Sequence, residues 1–157
     1  MSTPVTHASF SLERSLKAPP SAVFEAFSDP ASKKKWFAGP PEWQQGEYSL
    51  DFREGGRETD AGGPDGGLVA EMRATYHDIV VNERIIYTYE MLLDGKRVSV
   101  SLSTLEFEPD GDGTLLSLTE QGVYFTGTRE DDHAQVAERK QGASGLLDAL
   151  RAYVEGG

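Results

Sequence analysis

The sequence predicts an α+β domain in which a curved antiparallel sheet of six or seven strands wraps around one long C-terminal helix. The first observation is that apolar or small residues recur at helical spacing over only one long stretch, residues 131–154. The second is a series of alternating segments between residues 10 and 125, separated by turn signals that join antiparallel strands. The third is length, because 157 residues make one domain, 1–157, in which residues 1–7 are expected to be a flexible terminus.

The chain is predicted to begin with a strand and two short helices. Residues 10–16 alternate between apolar and polar side chains, which predicts a strand with one buried face, and Arg14 falls on that face. Prolines after position 18 predict a short helix over residues 20–27. A second short helix is predicted over residues 29–37, because its Asp-Pro start combines a cap with a proline at the first helical position. Its lysines, residues 33–35, are expected to form a solvated face.

Strands follow in sequence up to the C-terminal helix. They are predicted over residues 48–52, 68–76, 85–91, 98–107 and 116–125. The glycine- and aspartate-rich segment 57–67 predicts a loop or a hairpin tip, with a short extra strand near Arg57 as the alternative. Asp94-Gly95 predicts a hairpin with a primed turn.

The strand over residues 98–107 changes its apolar parity. Val98, Val100 and Leu102 carry the apolar side first, and Leu105 and Phe107 carry it afterwards. A slip of one residue exchanges the two faces of a strand, so this pattern predicts a β-bulge that bends the sheet. The same reasoning places Val100 on the inward face.

The C-terminal helix has one apolar face and one charged face. Its apolar stripe consists of Val136, Ala143, Leu147, Leu150 and Val154. The opposite, charged face includes Arg139, and the aspartates at positions 131 and 132 can cap the start of the helix. A stripe of this kind needs an apolar surface to cover it, and the predicted sheet is the only large one.

Composition excludes several classes of function. A net charge of −11 and a pI of about 4.6 argue against nucleic acid and against anionic membrane surfaces. The absence of cysteine excludes disulfides and thiolate chemistry, and the polar N-terminus without a membrane span predicts a cytoplasmic protein. His7, His77 and His133 are scattered, and no nucleotide-binding motif occurs, so that no metal and no cofactor are predicted.

Motifs along almost the whole chain resemble those of a known family. They are Phe10-x-Leu-x-Arg14, Ala18-Pro-Pro-x-x-Val-Phe24-Glu-Ala-Phe-x-Asp-Pro30, Lys35-Trp-Phe37, Asp51-Phe-Arg-x-Gly-Gly56, Asp78-Ile-Val-x-Asn-Glu-Arg-Ile-Ile-Tyr87, Gly113-Thr-x-Leu-x-Leu-Thr-Glu-Gln-Gly122 and Gly142-x-x-x-Leu-Leu-Asp-x-Leu150. On these motifs the chain resembles the START-like helix-grip superfamily, which includes the birch-pollen allergen. Within it, the chain is most similar to bacterial proteins named after the C-terminal domain of the heat-shock-protein-90 ATPase activator.

The resemblance implies the helix-grip fold, with the first and last strands side by side and a cavity between sheet and helix. Many relatives carry Trp where this chain has Ala143, which implies a wider cavity beneath the helix. The residues expected to line this cavity are Arg14, Phe27, Trp36, Phe37, Tyr48, Leu50, Met72, Tyr76, Tyr87, Tyr89, Val100, Leu118, Glu120, Ala143 and Leu147.

Two charged candidates, Arg14 and Glu120, fall on inward faces by parity, and buried charges need partners. We therefore expect them to pair, either as a polar anchor for a ligand or as a structural ion pair that sets strand register. For the inward tyrosines the alternatives are an amphipathic ligand or ordinary core. For Trp36 and Phe37 they are a cavity mouth or packing of the short helices.

The predicted function is binding of a hydrophobic or amphipathic small molecule, lipid-like or polyketide-like, in the cavity. An alternative that the superfamily implies is a cyclase, aromatase or hydrolase with Arg14, Glu120 or a tyrosine as acid or base. A further alternative, implied by the family name, is a protein-interaction module that regulates a chaperone ATPase.

Overall fold

Seven strands and three helices make up residues 3–38 and 42–156, which this computed structural model describes. The elements in chain order are β1 (Thr6–Leu16), α1 (Pro20–Ser28), α2 (Pro30–Trp36), β2 (Trp43–Leu50), β3 (Arg57–Pro64), β4 (Ala70–Val80), β5 (Arg84–Leu93), β6 (Lys96–Asp110), β7 (Gly113–Tyr124) and α3 (Arg129–Gly156). In these residues no helix combines the length and the apolar character that crossing a bilayer requires.

The strands form one antiparallel sheet in the order β1-β7-β6-β5-β4-β3-β2. From β2 onwards each strand pairs with the next in sequence, and β1 closes the order by pairing with β7. Hairpin turns make these neighbours antiparallel. The turn at Asp94 and Gly95 has positive φ at both residues, which confirms the predicted primed turn. The architecture confirms the predicted α+β helix-grip fold with seven strands.

The main core lies between the sheet, α1, α2 and the C-terminal half of α3. Leu147 and Leu150 of α3 are buried in it, and α3 contacts β1 and β7. Phe27 packs edge-on against Trp36, with ring centroids 5.0 Å apart, and against Phe107, at 5.7 Å. These contacts hold the two short helices over one end of the sheet.

The N-terminal end of α3 is fixed by hydrogen bonds rather than by apolar packing. The side chain of Asp132 accepts hydrogen bonds from the hydroxyl of Thr6 at 2.8 Å, and from the backbone N–H and the hydroxyl of Thr126 at 2.7 and 2.6 Å. The hydroxyl of Thr128 accepts from the backbone N–H of Asp131 and caps the helix. Between Asp132 and Leu147, no residue of α3 is fully buried. This stretch of the helix is therefore only partly covered, with Ala143 and Leu146 packed against the core at its C-terminal end.

Three sequence predictions about the strands and the terminus are wrong. The loop predicted over residues 57–67 is mostly the eight-residue strand β3, which is the alternative of an extra strand near Arg57, because backbone pairing does not need the apolar side chains that the segment lacks. In β6 the inward residues are Ser99, Ser101 and Ser103, which continue in phase into Leu105, so that the predicted bulge between Leu102 and Leu105 is absent. Thr6 and His7 belong to β1 rather than to a flexible terminus.

The bulge prediction fails because serines, not valines, face inward in β6. Val100 and Leu102 are exposed on the outer face. The register between β5 and β6 does shift, but earlier, between Met91 and Leu92, where Val98 and Ser99 are both buried. The assumption that apolar side chains face inward fails where the interior of the protein is itself polar.

Candidate functional site

The inward face of the sheet changes character along its length. Under α1 and the C-terminal half of α3 it is apolar, with residues such as Leu105 and Leu116. Under the middle of α3, the buried inward residues include Ser99, Ser101 and Ser103 of β6, and Glu120 of β7. Buried polar groups are costly unless hydrogen-bonded, so their partners decide what this face can do.

Glu120 is the centre of a buried hydrogen-bond network. Its carboxyl group is 4% exposed and accepts from the hydroxyl of Tyr89 at 2.7 Å and from that of Ser103 at 3.2 Å. Burial raises the pKa of Glu120 above its usual value, although these hydrogen bonds and the nearby guanidinium of Arg139 oppose the shift. Burial also raises the pKa of Tyr89 strongly, so that it remains a neutral hydroxyl.

Arg139 of α3 connects the helix to this network. Its Nη1 donates to the Tyr89 hydroxyl at 3.2 Å and its Nη2 to the Ser99 hydroxyl at 3.0 Å. Its Cζ lies 5.5 Å from the ring centroid of Tyr89 and 5.2 Å from that of Tyr124, in the range of cation–π contacts. The guanidinium therefore spans the space between the middle of α3 and the sheet.

Arg139 was missed because the sequence prediction placed it on the charged, outward face of the helix. A signal was present, since Arg139 lies three residues after Val136 and four before Ala143, which is the spacing of the apolar stripe. A long side chain at such a position can bury its stem and carry its charge to a distant polar group.

The hydroxyl of Ser101 is buried and has no hydrogen-bond partner of good geometry among the described residues, although it is close enough to the Tyr124 hydroxyl to act on the pKa of that group. Ser101 lies directly opposite Gly122 of β7. A Cβ at position 122 would stand 2.8 Å from the Ser101 hydroxyl oxygen and 3.1 Å from the ring of Tyr124, closer than ordinary contacts. The glycine thus allows the Ser101 hydroxyl and the Tyr124 ring to approach the backbone of β7 closely on the inward face.

A second buried network lies around Lys33 of α2. Its ammonium group is 2.7 Å from Oε2 and 2.8 Å from Oε1 of Glu58, and both residues are almost fully buried. Tyr48 donates to Oε2 at 2.7 Å and Tyr76 to Oε1 at 2.9 Å, so that the carboxylate has four charge-assisted contacts. The prediction of a solvated Lys33 is wrong, because the ammonium also packs 4.4 Å from the ring centroid of Phe37.

Asp60 lies next to this second network on β3, on the same inward face as Glu58. Burial, and after it the charge of Glu58, raises the pKa of Asp60 to about 6, and Lys33 opposes the shift. Asp60 therefore titrates near neutral pH at the edge of the inward face. Burial also raises the pKa of Tyr48, which stays protonated as a donor to Glu58.

Three tyrosines join the two networks. The rings of Tyr76 and Tyr87 are 5.5 Å apart, and those of Tyr87 and Tyr89 are 6.1 Å apart, across the paired strands β4 and β5. The hydroxyl groups at the two ends, on Tyr76 and Tyr89, belong to the Glu58 and Glu120 networks respectively. The inward face therefore carries aromatic surface between two polar ends.

The predicted pair of Arg14 and Glu120 does not form. Arg14 lies opposite Leu116, whereas Glu120 lies opposite Phe10, four positions along the strand, or about 13 Å. Arg14 instead donates to Asp148 of α3 at 2.9 Å and to the Ser144 hydroxyl at 2.7 Å. The prediction fails because parity gives the face of a strand but not its register.

The remaining predicted lining residues divide into five groups. The core contains Phe27, Trp36, Tyr76, Leu118 and Leu147, and packed against it are Phe37, Leu50, Tyr87 and Ala143. Tyr48 and Tyr89 belong to the polar networks, and Met72 lies on the inward face opposite Met91, partly buried. Val100 was assigned wrongly, because it is 42% exposed on the outer face of the sheet.

Two open cavities lie elsewhere on the surface. One, of about 550 Å³, is on the outer face of the sheet and is lined by residues such as Val100 and Gln121. The other, of about 370 Å³, lies at the turn between β2 and β3 and includes Asp51, Arg53 and Gly56. Neither lies between the sheet and α3, so a ligand cavity there remains a proposal.

Comparisons with known proteins identify relatives over nearly the whole chain. The sequence model of the family described as Activator of Hsp90 ATPase homolog 1-like protein matches residues 17–155. No curated protein matches the chain.

Solved structures agree with this match. A protein from Rhizobium leguminosarum is 41% identical over 100% of both chains, with a TM-score of 0.90. The Mll3558 protein from Rhizobium loti is 37% identical, over 96% of this chain and 99% of that one, with a TM-score of 0.85. An AHSA1-like protein from Aeromonas hydrophila, 21% identical over 95% of this chain and 93% of that one with a TM-score of 0.67, shares the fold.

Proposed function

The chain belongs to the family of Activator of Hsp90 ATPase homolog 1-like proteins, and we propose that this member binds an amphipathic small molecule between its sheet and the middle of α3. The observation that carries the proposal is the polar part of the inward face. It combines Glu120, Arg139 and three inward serines with tyrosine rings, beneath a stretch of helix that has no fully buried residue. Ligand sites are commonly apolar surfaces with a few placed polar groups.

The way in which the middle of α3 is attached to the sheet also supports the proposal. Between Asp132 and Ala143 the helix is hydrogen-bonded to the sheet through Arg139 and its two neutral partners, Tyr89 and Ser99, whereas Arg14 holds it further along at Ser144. Each hydrogen bond from the charged guanidinium contributes about 1.5–3 kcal/mol, which a ligand has to replace when this stretch separates from the sheet. A molecule that replaces those hydrogen bonds can enter while the C-terminal half of the helix stays packed.

The direct test is native mass spectrometry of the purified protein, followed by solvent extraction and identification of bound material. A stoichiometric small molecule is the expected result. In parallel, ¹H–¹⁵N NMR titration with fatty acids and aromatic polyketide analogues should shift the side-chain Nε–H of Arg139 and the amides of Ser103 and Glu120, which do not line the outer cavity. A clean apo mass together with no shifts across the panel would refute the proposal.

A pair of glycine variants makes this test specific to the site. Gly122→Ala places a methyl group 2.8 Å from the present position of the Ser101 hydroxyl oxygen, which has to move, and should weaken binding, whereas Gly145→Ala makes the same change on α3 with nothing within 4 Å. If the two variants keep their folds and bind the ligand equally well, the ligand does not lie on this face.

An enzyme using the same face is the alternative with a specific observation behind it. A buried carboxyl group of raised pKa beside a tyrosine hydroxyl, as in Glu120 and Tyr89, suits general acid catalysis. Turnover of the extracted molecule that Glu120→Gln abolishes, with binding retained, would favour the enzyme. Binding without turnover in either protein would favour the carrier.

Regulation of a chaperone ATPase is supported by the family description alone. Its test is the ATPase rate of a bacterial Hsp90 with increasing amounts of this protein. A saturable change would favour an interaction module over the small-molecule proposal.

A further inference from the structure

We propose that the bound molecule carries a carboxylate, and that Arg139 together with Ser99 and Ser101 forms the site that binds it. The inference rests on the proposed function, because it names the chemical class of that molecule. The observation behind it is that the guanidinium of Arg139 has no carboxylate in direct contact among the described residues.

Arg139 is a partly buried cation whose hydrogen-bond partners are neutral. None of the ion pairs within 4.0 Å in the described part of the chain includes it. A guanidinium has five N–H donors, and hydrogen bonds to Tyr89 and Ser99 use two of them. The third nitrogen, Nε, has no hydrogen-bond partner and is not among the buried, unpaired atoms of the described residues, so it reaches accessible space.

Two other cations that contact the inward side have carboxylate partners, whereas Arg151 of α3 is, like Arg139, in none of the ion pairs of the described residues. Arg14 is paired with Asp148, and Lys33 with Glu58. At Arg139 the nearest carboxyl group of the network, Glu120, is separated from the guanidinium by the hydroxyl of Tyr89, which donates to the carboxyl and accepts from the arginine. Arg139 and Glu120 are thus linked through the neutral Tyr89 hydroxyl and do not form a direct ion pair.

The serines supply the remaining donors for a bound carboxylate. Ser101 is 2% exposed with an unpaired hydroxyl, two residues or about 7 Å from Ser99 along β6. The ring of Tyr124 lies between the two parts of the site. Its centroid is 5.2 Å from the Cζ atom of Arg139, and its edge is close to Gly122, which lies opposite Ser101. One oxygen of a carboxylate can accept a charge-assisted hydrogen bond from Arg139, and the Ser101 hydroxyl can donate to the other.

Electrostatics favours a single negative charge. One guanidinium balances one carboxylate, whereas a phosphate monoester would bring a second charge close to Glu120 in a protein of net charge −11. The aromatic rings of Tyr89 and Tyr87 continue from this end along the inward face. A flat or apolar body attached to a carboxylate fits this order of surfaces.

The experiment compares two probes of the same shape, 2-naphthoate and 2-naphthamide, by isothermal titration calorimetry and NMR at pH 7.5. We expect the carboxylate to bind about ten- to a hundredfold more tightly than the amide, which is the usual advantage of charge-assisted hydrogen bonds. The naphthoate should shift the amides of Ser99 and Ser101 and the side-chain Nε–H of Arg139.

Two variants separate the site from the general field of the protein. Arg139→Gln should remove the preference for the carboxylate, so that the two probes bind alike. Lys140→Gln removes the same charge from the adjacent, exposed position of α3 and should keep the preference. Circular dichroism and thermal unfolding confirm that both variants are folded, and Arg139→Lys provides a second, charge-retaining variant that should keep part of the preference.

The failure of this inference is distinct from the failure of the proposed function. Equal binding of both probes by the wild type, or an undiminished preference in Arg139→Gln, would overturn the carboxylate site and leave small-molecule binding standing. No binding of either probe at millimolar concentration, with an apo mass after purification, would overturn both.

Discussion

Replacing Lys33 by methionine should destabilise the fold far more than any neighbouring lysine does. The ammonium of Lys33 and the carboxylate of Glu58 are 4% and 1% exposed and lie 2.7 Å apart. Methionine keeps much of the apolar stem that packs near Phe27 and Phe37 and removes only the charge. The variant therefore leaves a buried carboxylate without its cation.

The magnitude follows from what remains around Glu58. Breaking a buried ion pair by removing one partner costs about 3–5 kcal/mol. Tyr48 and Tyr76 continue to donate to the two carboxylate oxygens, which places the expected loss at the lower end, about 3 kcal/mol. For a chain of this length that corresponds to a fall in Tm of about 6–12 °C.

The assay is urea unfolding followed by circular dichroism, with wild type, Lys33→Met and Lys34→Met measured together. Lys34 is exposed on the same helix, so its variant should lie within about 0.5 kcal/mol of wild type. The double variant Lys33→Met with Glu58→Gln removes both charges and should recover most of the loss. A loss below about 1 kcal/mol for Lys33→Met, or no recovery in the double variant, would refute the reasoning.

Two further predictions concern carboxyl groups. Because the pKa of Asp60 is raised to about 6, the native state binds its proton more tightly than the unfolded state, and stability falls as the pH rises from about 4 to 6. Asp60→Asn should flatten that fall by on the order of 1 kcal/mol, a value reduced by the partial exposure of the group, in urea unfolding at each pH. Asp132→Ala removes the acceptor of three hydrogen bonds from Thr6 and Thr126, and should cost about 2–3 kcal/mol in thermal unfolding.

Each of these variants has a matched control. Asp112→Asn changes an exposed turn residue and should leave the pH profile unchanged. Asp131→Ala changes an exposed residue beside Asp132. Apart from the free energy lost with its favourable charge at the start of the helix, it should cost well under about 1 kcal/mol. An identical pH profile for Asp60→Asn and wild type would contradict the burial argument. Equal losses for the two α3 variants would contradict the anchoring role of Asp132.

Periodicity predicted the elements well where apolar side chains mark a buried face. The helix at the C-terminus, the two short helices with their proline starts and most strands follow from such patterns. β3 escaped prediction because its glycines and acidic residues resemble a turn, while its pairing depends on backbone groups of β2 and β4. In β6 the assumption that valines face inward reversed the two faces.

The site was less predictable because its arrangement depends on how far long side chains reach and on the register of the strands. Arg139 and Lys33 were assigned to solvated helix faces, yet each reaches a carboxyl network on the sheet, directly or through a tyrosine. Glu120 was correctly expected on the inward face, but its partner was not Arg14, since pairing depends on a register that parity does not supply. The buried networks require the distances between strands and helices, which the sequence does not contain.

The most direct test of a ligand site under the middle of α3 is a crystal structure of the protein with 2-naphthoate. The account predicts the carboxylate at the guanidinium of Arg139, within hydrogen-bond distance of Ser99 or Ser101, and the rings against Tyr89. Density for the probe in the outer cavity beside Val100, with Arg139 still bound to Tyr89 and Ser99, would contradict it.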